Sequence, residues 1–241
     1  ERPEVPVAAG VTVDFDFASG KPRLQGPITA PGDVPSTGPV YMLASGYGSM
    51  NWGTSEDVIG LNKIWSDKGM WLAVRYFEAG TRVRFSTDGT MFGKGEFISL
   101  DTNYGFTQED GYAIVQEAGT YGIYVNLNKR IVAIQPTTIY TYGTASSSTS
   151  DANVNSPFVV SEDGKTLSYT VEKEGHLRFH PDIEAFGSDV SRWKREYYVD
   201  LTTLDILQRH EGSDEPNKDY VWQPGTVITL DFQTMKATIT E

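Results

Sequence analysis

Apolar and polar residues alternate along most of this chain, and the alternation has a period of two rather than 3.6. Three stretches share one signature. Gly10–Leu24, Gly119–Ile134 and Gly225–Ile239 each run from a glycine through alternating apolar positions to an Asp or Asn, then through a short turn into a second alternating run. Anchored on Asp16, Asn126 and Asp231, an apolar residue stands one place before and one place after, and Leu24, Ile134 and Ile239 fall eight places on. Each stretch predicts a β-hairpin. A hairpin written three times predicts a repeated domain.

Landmarks between the copies return in order. Val40–Leu43 answers to Ile139–Tyr142 as an opening strand, the turn Ser66–Gly69 to Ser161–Gly164, Gly80–Phe85 to Gly175–Phe179, and Phe92–Gly93 to Phe186–Gly187. The fold expected is all-β: two tandem immunoglobulin-like β-sandwich domains of roughly six to eight short strands each, over residues 40–136 and 137–241. Residues 26–39 hold four prolines and three glycines and read as a linker, so residues 1–39 form an N-terminal hairpin and linker. That first hairpin has no body upstream. It is either the last hairpin of an absent domain or an extra strand pair docked on a unit, and the Pro-spaced start Glu1–Pro6 reads as a processed or trimmed end.

Composition narrows the function classes. The chain has 24 glycines, 12 prolines and 13 tyrosines in 241 residues, as expected of a sheet protein rich in turns. A net charge of −12 repels phosphate backbones and anionic lipid, which disfavours nucleic acid, membrane surfaces and polyanionic substrates. There is no cysteine, hence no disulfide and no thiol chemistry. No apolar run approaches the roughly 18 residues of a membrane span.

Catalytic and metal chemistry lack a platform. His176 and His180 are four apart, a spacing that suits zinc on a helix, but Pro181 and the strand pattern oppose a helix there. The acidic loop Glu211–Asp219 offers oxygen ligands without the spacing of a known calcium loop and reads as a solvated tip. With 32 acidic residues, no carboxylate pair stands out as a glycosidase pair. No Gly-x-Ser-x-Gly elbow is present. No cofactor, metal or catalytic set is expected.

The duplication sorts the aromatic residues. Trp71 matches Thr166 on strands whose inward sets are Leu72-Val74-Tyr76 and Leu167-Tyr169-Val171, so Trp71 is expected to point outward. Trp222 matches Gln116 while Val221 matches Val115, which places Trp222 outward as well. Trp65, matching Val160, is assigned to the core. Trp52 lies in the loop Gly46–Gly53, whose counterpart Gly143–Asp151 has no aromatic, and Trp193 lies in an apparent insertion, Ser191–Tyr198. Arg82 and Arg84 alternate with Val83 and Phe85, a pattern kept as His176 and Arg178 around Leu177. Exposed rings beside such donors suit neutral polyhydroxyl ligands, since the ring stacks on C–H faces while Arg, Lys or Asn bonds the hydroxyls. The plainer alternative is aromatics that cover a loop or the junction, over a solvated sheet face of ion pairs.

Taken together, the opening Val40-Tyr41 strand, the Gly-rich loop with Trp52, the Gly-x-x-x-Arg-Phe segment ending at Phe85 and the closing hairpin Gly119–Asn126 resemble the carbohydrate-binding repeats of the SusE/SusF family. These are surface lipoproteins of bacterial starch and glycan utilisation systems. Arg84 and Arg178 stand where the family usually has Lys, and the family's loop Trp corresponds to Trp52. The resemblance implies tandem starch-binding β-sandwiches, lipid-anchored on the outer face of an outer membrane and without catalysis. Its implied partners are a neutral oligo- or polysaccharide and an outer-membrane transporter or sibling glycan-binding subunits. On this reading Trp52 and Trp71 are stacking platforms, Arg84 donates to hydroxyls, and Tyr47, Asn51 and Lys94 support them; Trp193 with Arg178 and Trp222 forms a second set. The alternative is a structural module whose aromatics contact another protein of a surface complex.

Overall fold

The computed structural model describes residues 39–50, 57–64, 69–87, 102–104, 106–109, 112–129, 131–146, 156–187 and 190–241, with the strands 13–16 and 21–24, and over these residues strands are the principal element. The protein is all-β. Four sheets build two sandwiches. The first sheet has the order Ile59–Gly60, Tyr41–Ala44, Arg82–Ser86, Tyr112–Ile114, Thr107–Glu109. The second runs Asn62–Lys63, Met70–Phe77, Gly119–Asn126, Ile131–Pro136, Thr102–Tyr104. Their facing residues, among them Met42, Val83, Phe85, Trp71, Ile123 and Ile134, form one core. The third sheet has the order Thr138–Tyr142, Arg178–Asp182, Tyr197–Val199, Ile206–Gln208, and the fourth Val159–Val160, Thr166–Thr170, Val227–Asp231, Lys236–Thr240. Phe158, Leu167, Tyr169, Phe179, Tyr197 and Leu230 fill the second core.

The three hairpins close in one register. Val13 pairs with Leu24 and Asp16 with Lys21; Ile123 pairs with Ile134 and Asn126 with Ile131; Ile228 pairs with Ile239 and Asp231 with Lys236. The anchoring side chain holds the turn. Asn126 Oδ1 accepts the Lys129 N–H, and Asp231 Oδ1 accepts the N–H groups of Gln233 and Thr234, the local bonding through which Asn and Asp reverse a chain. Among the described residues the first hairpin is a two-stranded sheet on its own.

Two tryptophans lie on the face opposite to that expected. Trp71 is 9% exposed and sits with Ala73 and Phe77 in the first core, while Leu72, Val74 and Tyr76 pack toward the second sandwich. Hairpin register gives the reason. Asn126 pairs with Met70 and Asp231 with Thr166, so Trp71 occupies the place of Leu167. Matching from the turn selects Thr166 because one more residue stands between Gly164 and its strand than follows Gly69. A slip of one residue exchanges the faces of a strand. Trp222, 3% exposed, repeats the error. The Gly80 N–H donates to the Val115 carbonyl and the Gly175 N–H to the Trp222 carbonyl, so Trp222 stands in the place of buried Val115 and its neighbour Val221 is the exposed one.

The second sheet is buried on both faces, which accounts for the nearly continuous apolar run Met70–Phe77. Its outer residues Leu72, Val74, Tyr76, Tyr124 and Ala133 join the core of the second sandwich. The Tyr76 N–H donates to the Phe232 carbonyl, and the Ala185 N–H to Gln135 Oε1. At Gly122 a Cβ atom would stand 2.8 Å from Ile183 Cγ2, so only glycine admits this approach. Lys63 with Glu211 and Lys165 with Glu78 add ion pairs across the same junction.

Candidate functional site

Of the first set of residues, Trp52, Asn51 and Lys94 lie outside the described residues, as does Trp65. Trp71 belongs to the core and presents no ring to solvent. Tyr47 is a junction residue: its hydroxyl donates to the Tyr76 carbonyl at 2.7 Å and lies 3.4 Å from that of Phe232, and burial pushes its pKa up to about 12. Arg84 stays on the outer face of the first sheet, opposite Leu43, with its guanidinium 5.6 Å above the Tyr112 ring and that of Arg82 at 4.2 Å. Cation–π packing of this kind holds the arginines flat against the sheet. The described residues therefore bring Arg84 together with a tyrosine but with no tryptophan.

The second set is built on the outer face of the third sheet. Arg178 pairs with Tyr142 across the ladder, as Arg84 does with Leu43, and its guanidinium lies 4.6 Å from the Tyr142 ring. Arg192 covers the same ring at 4.9 Å, which ties the short 3-10 helix Arg192–Arg195 to the sheet. Beneath them lies Glu196, fully buried, with Arg209 at 3.1 Å and Arg178 Nε at 3.6 Å from its two oxygens. Burial pushes the Glu196 carboxyl up, against the pull of Arg178 and Arg209. Burial also raises the Tyr142 hydroxyl, and the nearby Glu196 carboxylate adds to that shift. Arg195 bonds Asp182 at 2.6 Å and stacks on Phe186 at 4.5 Å. With its flanking arginines anchored, Trp193 is left 44% exposed on the helix, its ring 5.8 Å from the Lys194 ammonium.

His180 lies in the same sheet, beside the rings of Tyr140 and Tyr142, with Nδ1 3.2 Å from the Pro181 carbonyl. Burial lowers its pKa to about 4, and the charge of Arg195 assists. The unfolded chain takes up this proton near pH 6.5 while the folded chain does not, so stability is lost as pH falls from about 6.5 toward 4. From pH 7 to pH 5 this group alone removes about 2 kcal/mol. In urea titrations His180→Phe is expected to show a correspondingly smaller acid loss than wild type; parallel losses would contradict the buried neutral imidazole.

A groove that sequence reasoning passed over opens beside Arg178. Its volume is about 380 Å³, and its walls include Tyr198, Leu201, Asp200, Asp214, Glu215 and Asn217. Glu215 meets Arg178 Nη1 at 3.3 Å, so the groove adjoins the arginine face. The signals were in the chain: Tyr198 ends the insertion at 191–198, and the acidic loop 211–219 that reads as a solvated tip supplies one wall. Among the described residues, no three acidic or histidine side chains converge as a metal site, and Trp222 contributes only to the core, edge-on to Tyr220 at 4.9 Å.

No protein-family model matches this chain, and no curated protein matches it in sequence. Its fold has a counterpart in the crystal structure of SusF from Bacteroides thetaiotaomicron, with a TM-score of 0.70 and 20% sequence identity over 85% of this chain. The match covers 48% of the SusF chain, so this chain spans about half its length. At that identity the likeness is one of fold.

Proposed function

We propose that the chain is a non-catalytic carbohydrate-binding protein of a cell-surface polysaccharide-utilisation system, built of tandem modules over residues 40–136 and 137–241. Its ligand is a neutral oligo- or polysaccharide such as starch, held on the outer face of the second module. One observation carries this reading: an exposed tryptophan, Trp193, stands on a helix whose two flanking arginines are fixed, beside a sheet face lined by Arg178 and Tyr142. An exposed indole ring covers the C–H surface of a sugar, and guanidinium N–H groups are donors that hydroxyl oxygens accept. The SusF-like fold and the repeat motifs support the same assignment; on this reading the protein is lipid-anchored at an outer membrane, with a transporter and sibling glycan-binding subunits as partners. In the first module Trp52 is the corresponding platform.

A shallow platform buries little of its ligand, so affinity is modest. Isothermal titration of the full chain with a panel of neutral glycans is expected to find binding that Trp193→Ala weakens about 10- to 30-fold. Trp52→Ala, measured beside it, reports the contribution of the first module. Binding to no glycan, or binding untouched by Trp193→Ala, would overturn the assignment.

A further inference from the structure

We infer that the groove between the strand Tyr197–Val199 and the loop 210–217 is a second sugar subsite, selective for uncharged residues of the glycan that lies on Trp193. The inference rests on the glycan-binding reading above. At about 380 Å³ the groove falls in the size range of small-ligand sites. Tyr198 and Leu201 give it an apolar wall, which a pocket of pure carboxylates would lack.

Its polar groups are fixed before any ligand arrives. Asn217 takes a left-handed backbone conformation, φ 55°, and its Nδ2 donates to the Val199 carbonyl at 2.9 Å, pinning the loop to the strand. Asp200 Oδ1 accepts the N–H groups of Thr202 and Thr203, and Ser213 Oγ donates to the His210 carbonyl at 2.7 Å. Groups held in this way lose little freedom on binding. Arg178 links the groove to the tryptophan platform, because the same guanidinium reaches Glu215 on one side and covers Tyr142, the ring also covered by Arg192, on the other.

Charge decides the class of sugar. Asp200, Asp214 and Glu215 line the groove together with His210, and among the described residues no lysine or arginine lines it, Arg178 and Lys218 meeting Glu215 and Asp214 from outside at 3.3 and 3.9 Å. Ionised carboxylates are acceptors only, so they suit sugar hydroxyls as donors, while a uronate or sulfate ester meets like charge. Hydrogen bonds to the turn hold the Asp200 carboxyl below its ordinary range, which keeps that acceptor ionised in mild acid.

The test titrates the full chain with maltoheptaose and with maltoheptaose oxidised to carboxylates at C6. Tyr198→Ala is expected to weaken maltoheptaose binding about tenfold, and Tyr198→Phe, which keeps the ring, to stay near wild type. Oxidised maltoheptaose is expected to bind wild type at least about tenfold more weakly, with Asp214→Asn/Glu215→Gln on the exposed loop narrowing that gap. If Trp193→Ala weakens binding while the groove variants bind as wild type, the subsite is overturned and the platform stands. Equal affinity for the two sugars overturns the charge selection. Failure of both sugars to bind overturns the subsite together with the reading on which it rests.

Discussion

Glu196→Ala is expected to lower the free energy of unfolding by about 3–5 kcal/mol, the cost of leaving buried charges without their partner. Glu196 is fully buried and stands between Arg178 and Arg209, while Arg178 and Arg192 of the helix Arg192–Arg195 both lie against the Tyr142 ring. Removing the carboxylate leaves the Arg209 guanidinium, itself little exposed, with no anion at 3.1 Å, and frees Arg178 from one of its two acids. The midpoint of urea unfolding reads this loss directly. A change below about 1 kcal/mol, the scale of an exposed pair, would show that the network is solvated rather than buried. Because the same cluster orients the proposed sugar-binding face, the variant is also expected to bind glycan more weakly at temperatures where it stays folded.

Trp71→Ala is expected to cost about 3–5 kcal/mol of stability, as truncation of a large core aromatic does. Its ring packs inside the first sandwich with Val125 opposite on the neighbouring strand. Glycan affinity of the folded variant, measured well below its melting temperature, is expected to match wild type. Normal stability with lost binding would return Trp71 to the solvent-facing position that turn-based matching gives it. The pair Trp71→Ala and Trp193→Ala therefore separates a structural tryptophan from a functional one.

Much of the fold was legible in the sequence because the physics is local. Alternation at period two, glycines at chain reversals and the Asp or Asn anchors sufficed for strands, hairpins and sandwiches; the three hairpins share one register, which the turn bonds of Asn126 and Asp231 hold in the second and third. What failed was facing. Trp71 and Trp222 were each assigned through a landmark separated from the strand by a segment of unequal length in the two units, and a single residue reverses every side chain. The run Met70–Phe77 did carry a correcting signal, since a strand apolar at nearly every position is one covered on both sides, here by two different sandwiches. The groove at Tyr198 was illegible for another reason. Its walls come from a strand and from loop residues 12 to 19 positions beyond Tyr198, and Glu215 gains its meaning only from Arg178, which pairs with Tyr142 on a third segment.

Arg178 and Trp193 were legible as candidates from the alternation and the insertion, whereas their common support was not. Nothing in the local pattern marks Glu196 as buried, because its surroundings include Tyr142 and Arg209 from distant segments of the chain. A buried acid between two arginines makes the outer face rigid, and rigidity is what a weak stacking site requires to hold its ligand.

The most direct test of the account is a crystal structure of the full chain grown with maltoheptaose. It predicts a glucose ring lying on the Trp193 indole, with a neighbouring hydroxyl accepting a hydrogen bond from Arg178. Sugar bound to another face with Trp193 uncovered, or no sugar bound at saturating concentration, would contradict it.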